Sequence, residues 1–275
     1  MSDLGFTTFQ LPSRGILYLD ESGKALIPDG QVSIRKMTVH EESILFSQGT
    51  QGVERFDIVL KNCCKLPEGC AKAKFTHADL LLTDRVAVMI ALRTYTFGPN
   101  YTFPYRCTQC GAPNKHKADI IADLNERTPE IIARELERDG KIEAGSFSLV
   151  EPVLVKLPDS GFEVGLRFLR GKDEERVLKR AKALKMQSND PSDSSYIYRL
   201  ALQLVSVDGQ VIDSPAKGEE IIRKLTSKDG AVMRNAMDDR ECSIDMRVYP
   251  ECSSCGNVNE RTMPFDLEFF RPTTL

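Results

Sequence analysis

The sequence contains no tryptophan and few aromatic residues of any kind. Aromatic side chains make up 7% of the 275 residues, which leaves little material for stacking surfaces of the kind that hold single-stranded nucleic acid. An excess of either charge is missing too, because the formal net charge is only -3. A protein whose main partner is nucleic acid is expected to be more basic. Both shortages disfavour that class.

Long hydrophobic runs are also missing. The most apolar stretch, residues 80–92, is interrupted by Thr83, Asp84 and Arg85 and is too short to span a bilayer. Residues 1–15 show no basic region followed by an apolar core, so they do not resemble a secretory signal. We therefore expect the protein to be kept in a reducing cytosol.

The familiar signatures of catalysis are absent from the sequence. It contains three histidines and no His-Glu-x-x-His pair, Gly-rich phosphate loop or local serine-hydrolase signature. No paired-carboxylate signature stands out either. The sequence therefore predicts a protein that is not an enzyme.

Cysteine is the reactive residue that the chain does have in quantity. In a reducing compartment, eight cysteines favour metal ligands or buried thiols over disulfides. Two Cys-x-x-Cys-Gly knuckles, Cys107/Cys110 and Cys252/Cys255, each follow an alternating strand and precede an asparagine. Two residues between the thiolates let one tight turn direct both sulfurs at an ion about 2.3 Å away. The glycine accepts the left-handed backbone that such a turn requires.

The two knuckles together supply the four ligands of a closed tetrahedral zinc site. We therefore predict one structural zinc per chain, bound by Cys107, Cys110, Cys252 and Cys255. Such a site has no open coordination position and cannot catalyse. Iron is an alternative metal, and free thiols in unrelated turns are an alternative to any metal. A thioredoxin-type redox pair is disfavoured because no helix start follows either motif.

Other candidate ligands are weaker. A second metal cluster would use Cys63, Cys64, Cys70 and His77. Adjacent cysteine side chains diverge, so buried thiols are the better interpretation. Cys242 is expected in the core, and His116 is expected on the surface of the strand that leaves the first knuckle rather than as a ligand.

A run of basic residues is the strongest charged feature. It comprises Arg170, Lys172, Arg176, Lys179, Arg180, Lys182 and Lys185. On a helix these residues lie opposite Val177, Ala181 and Leu184, which indicates a solvated face. An acidic partner or nucleic acid remains the alternative.

Periodicity and turn signals predict an α+β fold. Residues 1–40 form a small strand-rich segment, and 41–145 form a helical region with the first knuckle. Residues 146–275 form an α+β region whose β-hairpins carry the second knuckle. We expect these parts to pack together through the shared metal site.

Several elements can be placed more closely. A helix is expected to start at Thr76, and another to run from the Thr128-Pro129 cap to Gly140. Two strands are expected within 146–170, and a hairpin around Asp208-Gly209 within 204–212. A last strand, 244–249, should lead into the second knuckle.

The order of motifs along the chain carries a family resemblance. The motifs are Leu11-Pro12-Ser13-Arg14-Gly15 with Tyr18, the segment 32–38, Ala91-Leu92-Arg93, the knuckles and the ending Phe269-Phe270-Arg271-Pro272. In this order they resemble the baseplate hub and hub-assembly family of contractile-tailed phages, the myoviruses.

The resemblance implies a structural role. The chain would be a virion subunit or an assembly factor of the tail baseplate, made in host cytoplasm. Its partners would be other baseplate and tail proteins, with further copies of itself as an additional option, and no small-molecule substrate, nucleic acid or membrane is implied. The competing interpretation is a zinc-ribbon adaptor that binds nucleic acid or a transcription complex, since strand-borne knuckles and the basic helix suit that role.

Overall fold

The computed structural model describes residues 5–47, 52–185 and 194–271. Its helices are α1 Val39–Leu45, α2 Gly52–Cys63, α3 Glu68–Lys72, α4 Leu82–Phe97, α5 Ile120–Asp123, α6 Pro129–Arg138, α7 Gly171–Lys185, α8 Ser194–Gln203, α9 Pro215–Ile222 and α10 Ser227–Asp238. Within these ranges, no helix combines the length and the apolar character needed to cross a membrane.

The strands form small antiparallel sheets between the helices. They are β1 Thr7–Gln10, β2 Gln31–Ile34, β3 Cys64–Lys65, β4 Asn100–Arg106, β5 Pro113–Asp119, β6 Asn125–Arg127, β7 Val153–Lys156, β8 Glu163–Leu166, β9 Leu204–Val207, β10 Gln210–Val211, β11 Ser243–Asp245, β12 Arg247–Val248 and β13 Arg261–Thr262. The sheet orders are β1-β2-β3, β10-β9-β8-β7, β11-β6, β12-β13 and β4-β5. The predicted mixture of helices and hairpins is confirmed.

In the N-terminal Leu11-Pro12-Ser13-Arg14-Gly15 motif, here called the head motif, two stretches of backbone lie very close together. Gly15 has φ +71°, and a Cβ there would lie 2.4 Å from the carbonyl oxygen of Ile27. Gly30 has φ +67°, and a Cβ there would lie 2.7 Å from the backbone of Arg14. The glycine of the Leu-Pro-Ser-Arg-Gly motif is therefore required by both conformation and space.

A buried carboxylate joins the head motif to the central helix α4. Asp84 is fully buried and accepts hydrogen bonds of 2.5 Å from the hydroxyls of Ser13 and Tyr18. The Tyr18 hydroxyl in turn accepts a bond of 2.8 Å from the amide of Leu81. Burial raises the pKa of Asp84, and the hydrogen bonds from Ser13 and Tyr18 oppose that rise. Every polar group in this network has a partner, as burial requires.

Helix α4 forms the centre of the hydrophobic core, as its all-round apolar sequence predicts. Its buried Arg93 donates to the carbonyls of Phe269 and Asn100 at 3.2 and 2.7 Å, and to that of Gly98. The guanidinium also lies over the Phe269 ring, 5.2 Å from its centroid. The aromatic ending is thereby fixed against the central helix. Pro272 of the same motif lies outside the described residues.

The start of α4 differs from the prediction. Thr76 and Asp79 do form a capping box, but it closes only a short 3-10 turn, and α4 begins at Leu82. Leu80 is extended because its carbonyl accepts a hydrogen bond from the amide of Gly171, far along the chain. A long-range contact therefore overrides the local helix signal.

The predictions for the second half of the chain are largely confirmed. Strands β7 and β8 form the expected hairpin, and Asp208 and Gly209, both with positive φ, make the tight turn between β9 and β10. Helix α6 begins at Pro129 as predicted. The expected strand 244–249 is instead split, because β11 pairs with β6 whereas β12 pairs with β13.

Candidate metal centre

The first knuckle lies at the tip of the β4–β5 hairpin. Strand β4 ends at Arg106, and the chain turns through Cys107 and Cys110 before β5 begins. The amide of Cys107 donates to the carbonyl of Ala112 at 3.0 Å, and the amide of Gly111 donates to that of Cys107 at 3.1 Å. Gly111 has φ +72°, which is the left-handed conformation that the motif predicts.

The second knuckle repeats this geometry near the C-terminus. The amide of Cys252 donates to the carbonyl of Asn257 at 2.9 Å, and the amide of Gly256 donates to that of Cys252 at 2.9 Å. Gly256 has φ +70°. A bridge between Glu251 and Val258 completes a second hairpin around the turn. Two local turns with the same hydrogen bonds therefore present two thiols each.

The fold brings the four thiols together. Their sulfurs all lie within 4.8 Å of one another. The Cys107–Cys255 and Cys110–Cys252 sulfur pairs are both 3.7 Å apart. A tetrahedron with metal–sulfur bonds of about 2.3 Å has edges of about 3.8 Å. These four sulfurs could therefore hold one metal ion with no position left open, and zinc fits this donor set.

Backbone amides favour the thiolate form in both knuckles. The amides of Cys110 and Gln109 point at the Cys107 sulfur and lower the pKa of this thiol to about 6. The amides of Ser254 and Cys255 lower the pKa of Cys252 in the same way. Since metals bind the thiolate, each turn prepares a ligand for a cation.

Two asparagines link the knuckles reciprocally. The Asn114 side-chain carbonyl accepts hydrogen bonds from the amide and hydroxyl of Ser253 at 3.1 and 2.8 Å. The Asn259 carbonyl accepts the equivalent bonds from Thr108 at 2.8 and 3.0 Å. Asn114 also donates to the Cys252 sulfur at 3.4 Å. Each hairpin thus orients the thiols of the other, as outer-shell groups do in metal sites.

The role of these asparagines was not predicted from the sequence. Asn114 and Asn259 were visible only as a shared feature of the two motifs. The usable signal is that each stands four residues after the second cysteine of its knuckle. A third contact between the hairpins, the bond of 2.9 Å from the Tyr105 hydroxyl to the Glu251 carbonyl, has no sequence signal.

The remaining cysteines are buried thiols, as expected. Burial raises the pKa of Cys63, Cys64 and Cys242 to about 12, so they stay protonated at neutral pH. Cys70 is buried as well, and its thiol donates to a backbone carbonyl. His77 is held by the Cys64 carbonyl at 2.8 Å. In the described part of the chain, the four knuckle cysteines form the one metal-ligand cluster found.

His116 lies on β5, the strand that leaves the first knuckle, as predicted. Its ring meets the Phe103 ring edge to face with centroids 5.6 Å apart, and it is absent from the metal-ligand cluster. It is half-buried rather than fully on the surface.

The basic run on and before α7 is largely neutralised within the chain. Its ion pairs are Arg170–Glu151, Lys172–Asp79, Arg176–Asp173, Lys179–Glu175 and Arg180–Glu219. The side chains of Lys182 and Lys185 lie outside the described residues. A face whose cations are paired with neighbouring carboxylates fits the prediction of a solvated surface.

One family model matches the chain. It is described as "T4 bacteriophage base plate protein" and matches residues 21–271. No curated protein and no solved structure matches the chain.

Proposed function

The chain belongs to the T4 bacteriophage base plate protein family, and on that premise we propose that it is a non-enzymatic structural subunit or assembly factor of the baseplate hub. Family membership makes it a baseplate protein of the phage tail. The hub position is the finer proposal, supported by the motif order from the head sequence to the aromatic ending. Its partners are then other baseplate and tail proteins.

A single structural zinc is the second part of the proposal. The observation that carries it is the convergence of four knuckle sulfurs within 4.8 Å. Two of the ligands belong to the helical region 41–145 and two to the α+β region 146–275, so one ion would link these two regions. A closed site adds rigidity without disulfides, which suits a protein assembled in a reducing cytosol.

Elemental analysis of the purified chain tests the metal. We expect about one zinc per chain. Cys255→Ser should lose the ion, because the thiolate ligand is removed, whereas Ser254→Ala in the same turn should keep it. Wild-type protein purified without chelators that contains no metal would contradict the proposal.

Purified phage particles test the role. Mass spectrometry that finds the chain at a fixed copy number would identify a permanent subunit, and cross-links to the central baseplate proteins would place it at the hub. Absence from particles, combined with loss of baseplates when the gene is disrupted, would identify an assembly factor. Normal baseplates in the absence of the chain would contradict both roles.

Nucleic-acid binding receives little support from the described surface. The cations Arg170 to Arg180 that would contact phosphates are paired with carboxylates, and each pair would have to open for a phosphate contact. Binding to labelled DNA that weakens steeply with salt would favour the adaptor function instead.

A further inference from the structure

The β4–β5 hairpin carries the first knuckle at its tip and turns one of its faces towards the core. Residues directly opposite each other on two paired strands share a face. Tyr101, its opposite residue Ala118, and Phe103 are buried. The Arg93 guanidinium lies 5.5 Å from the centroid of the Tyr101 ring. This inner face anchors the hairpin in the fold.

The outer face of the hairpin is basic. The register places Thr102 opposite Lys117 and Pro104 opposite Lys115, and all four residues are exposed. Arg106, the next residue of this face towards the knuckle, is exposed as well. Arg106, Lys115 and Lys117 together are here called the basic face.

The cations of the basic face have no carboxylate partner in the part of the chain that the structure describes. Asp119 follows Lys117 on the same side of β5. Its carboxylate instead accepts hydrogen bonds from the amides of Ile121 and Ala122 at 2.9 and 3.1 Å. The basic face therefore differs from the α7 region, where the chain supplies its own carboxylates.

The three cations stand in a row with a regular spacing. Alternate residues of one strand are about 7 Å apart, which is the separation of Lys115 from Lys117. Arg106 is the diagonal neighbour of Lys115 across the strand pair, and such neighbours are also about 7–8 Å apart. The row therefore has the spacing of alternate side chains on an extended segment. Since the hairpin is already folded, its backbone needs no ordering before a partner binds.

We propose that the basic face binds an acidic, extended segment of another baseplate protein. Carboxylates at alternate positions of that segment each meet one cation of the row. The partner thus supplies the negative charge that the chain itself does not place there. The identity of the partner rests on the proposed baseplate role, whereas its acidic character rests on the unpaired cations.

A nucleic acid fits the basic face less well than a protein segment does. Its phosphates could meet the same cations, but a duplex extends beyond them over a chain whose net charge is -3. A short acidic segment is confined to the face and avoids that repulsion. The outer positions of β4 and β5 also hold no aromatic side chain on which a base could stack.

Cross-linking with a zero-length carbodiimide tests the contact. This reagent joins a lysine amine only to a carboxylate that touches it. The full chain is treated inside complexes isolated from infected cells, so that finished particles and assembly intermediates are both sampled. We expect mass spectrometry to find Lys115 and Lys117 joined to Asp or Glu residues of another baseplate protein.

Charge reversal tests whether the contact has energetic weight. The double variant Lys115→Glu with Lys117→Glu should enter baseplate complexes at least about tenfold less than wild type. Lys217→Glu with Lys224→Glu makes the same change of net charge at two other exposed lysines and should enter like wild type. Circular dichroism and zinc content verify that both variants are folded. Replacing the cross-linked partner carboxylates by lysine should restore entry of the first variant, which a merely structural role of Lys115 and Lys117 would not allow.

Three results would overturn the proposal. The first is acetylation of both Lys115 and Lys117 by a soluble amine reagent in every complex that contains the chain. The second is a basic-face variant that enters complexes as the control variant does. The third is protection of the two lysines that nuclease treatment removes, because the partner would then be a nucleic acid.

Failure of the baseplate role gives a different result. Both lysines would then be joined to carboxylates of a protein that belongs to no baseplate complex. That outcome would refute the role and the partner's identity and keep the acidic character of the partner. Free lysines on a chain that is present in baseplates would refute the contact and keep the role.

Discussion

Loss of one knuckle cysteine should lower the free energy of unfolding as much as loss of one cysteine from each knuckle. Cys107→Ser and Cys255→Ser each remove one of four sulfurs that lie within 4.8 Å of one another, one from the β4–β5 hairpin and one from the C-terminal hairpin. If all four bind the same ion, either change opens the same link. We therefore expect the two single variants to be similarly destabilised, and the double variant to be hardly worse than either.

The size of the effect follows from the chain between the knuckles. About 140 residues separate Cys110 from Cys252, and a cross-link that closes a loop of this length lowers the entropy of the unfolded chain by the equivalent of about 5 kcal/mol. The whole free energy of unfolding of a typical domain is about 5–15 kcal/mol. Opening the link should therefore remove a large fraction of the stability.

Urea unfolding with parallel metal analysis measures this. A chelator should shift the wild-type midpoint down to that of the single variants and should leave the variants unchanged. Ser254→Ala, an exposed change in the second knuckle, is the control and should behave as wild type. If the single-variant losses add in the double variant, or if each chain unfolds in a different local region, the shared-site reasoning is wrong.

Three further predictions concern residues in the N-terminal part of the chain. Tyr18→Phe should cost about 1–3 kcal/mol of unfolding free energy in urea, because the buried Asp84 loses one of its donors and the Leu81 amide loses its acceptor. Gly15→Ala should lower the melting temperature more than Gly23→Ala, because both have positive φ but only at Gly15 would the Cβ meet backbone, at 2.4 Å. Burial alone would raise the pKa of Glu41. Hydrogen bonds from Arg35 and Thr38 outweigh burial, so the pKa falls from 4.5 to about 2. The stability advantage of wild type over Glu41→Gln should thus be complete above pH 4.5 and fall by about 3 kcal/mol as the pH drops towards 2.

Each of these three predictions has a control or a result that would contradict it. Tyr249→Phe, at a side chain 59% exposed, should leave the unfolding free energy unchanged. Equal melting temperatures of Gly15→Ala and Gly23→Ala would show that the close approach to Ile27 has no energetic weight. A difference between wild type and Glu41→Gln that does not change with pH would contradict the low pKa.

Local chemistry was enough to predict several features from the sequence. A Cys-x-x-Cys-Gly turn has one favoured geometry, and both knuckles adopt it with the same two backbone hydrogen bonds. The Thr128-Pro129 start and the Asp208-Gly209 turn depend on φ preferences of single residues, so they also stand where predicted. The apolar pattern of α4 predicts a largely buried helix, and Tyr95 near its end is its one exposed side chain.

Other features depended on contacts between distant parts of the chain. Leu80 leaves the helical conformation because its carbonyl bonds to the Gly171 amide. The final strand divides at Met246 because β6 and β13 pair with its two halves. No local pattern encodes such partners, since the pairing energy depends on where the rest of the chain lies.

The difference between locally encoded features and those that depend on distant contacts is clearest at the two knuckles. Cysteine spacing and glycine conformation are local, so the sequence alone predicts a tight turn with two sulfurs on one side at each knuckle. The convergence of four sulfurs within 4.8 Å and the bonds from Asn114 and Asn259 to the opposite turn depend on the folded chain. Those distances arise from the packing of two hairpins about 140 residues apart, and such packing is a property of the whole core.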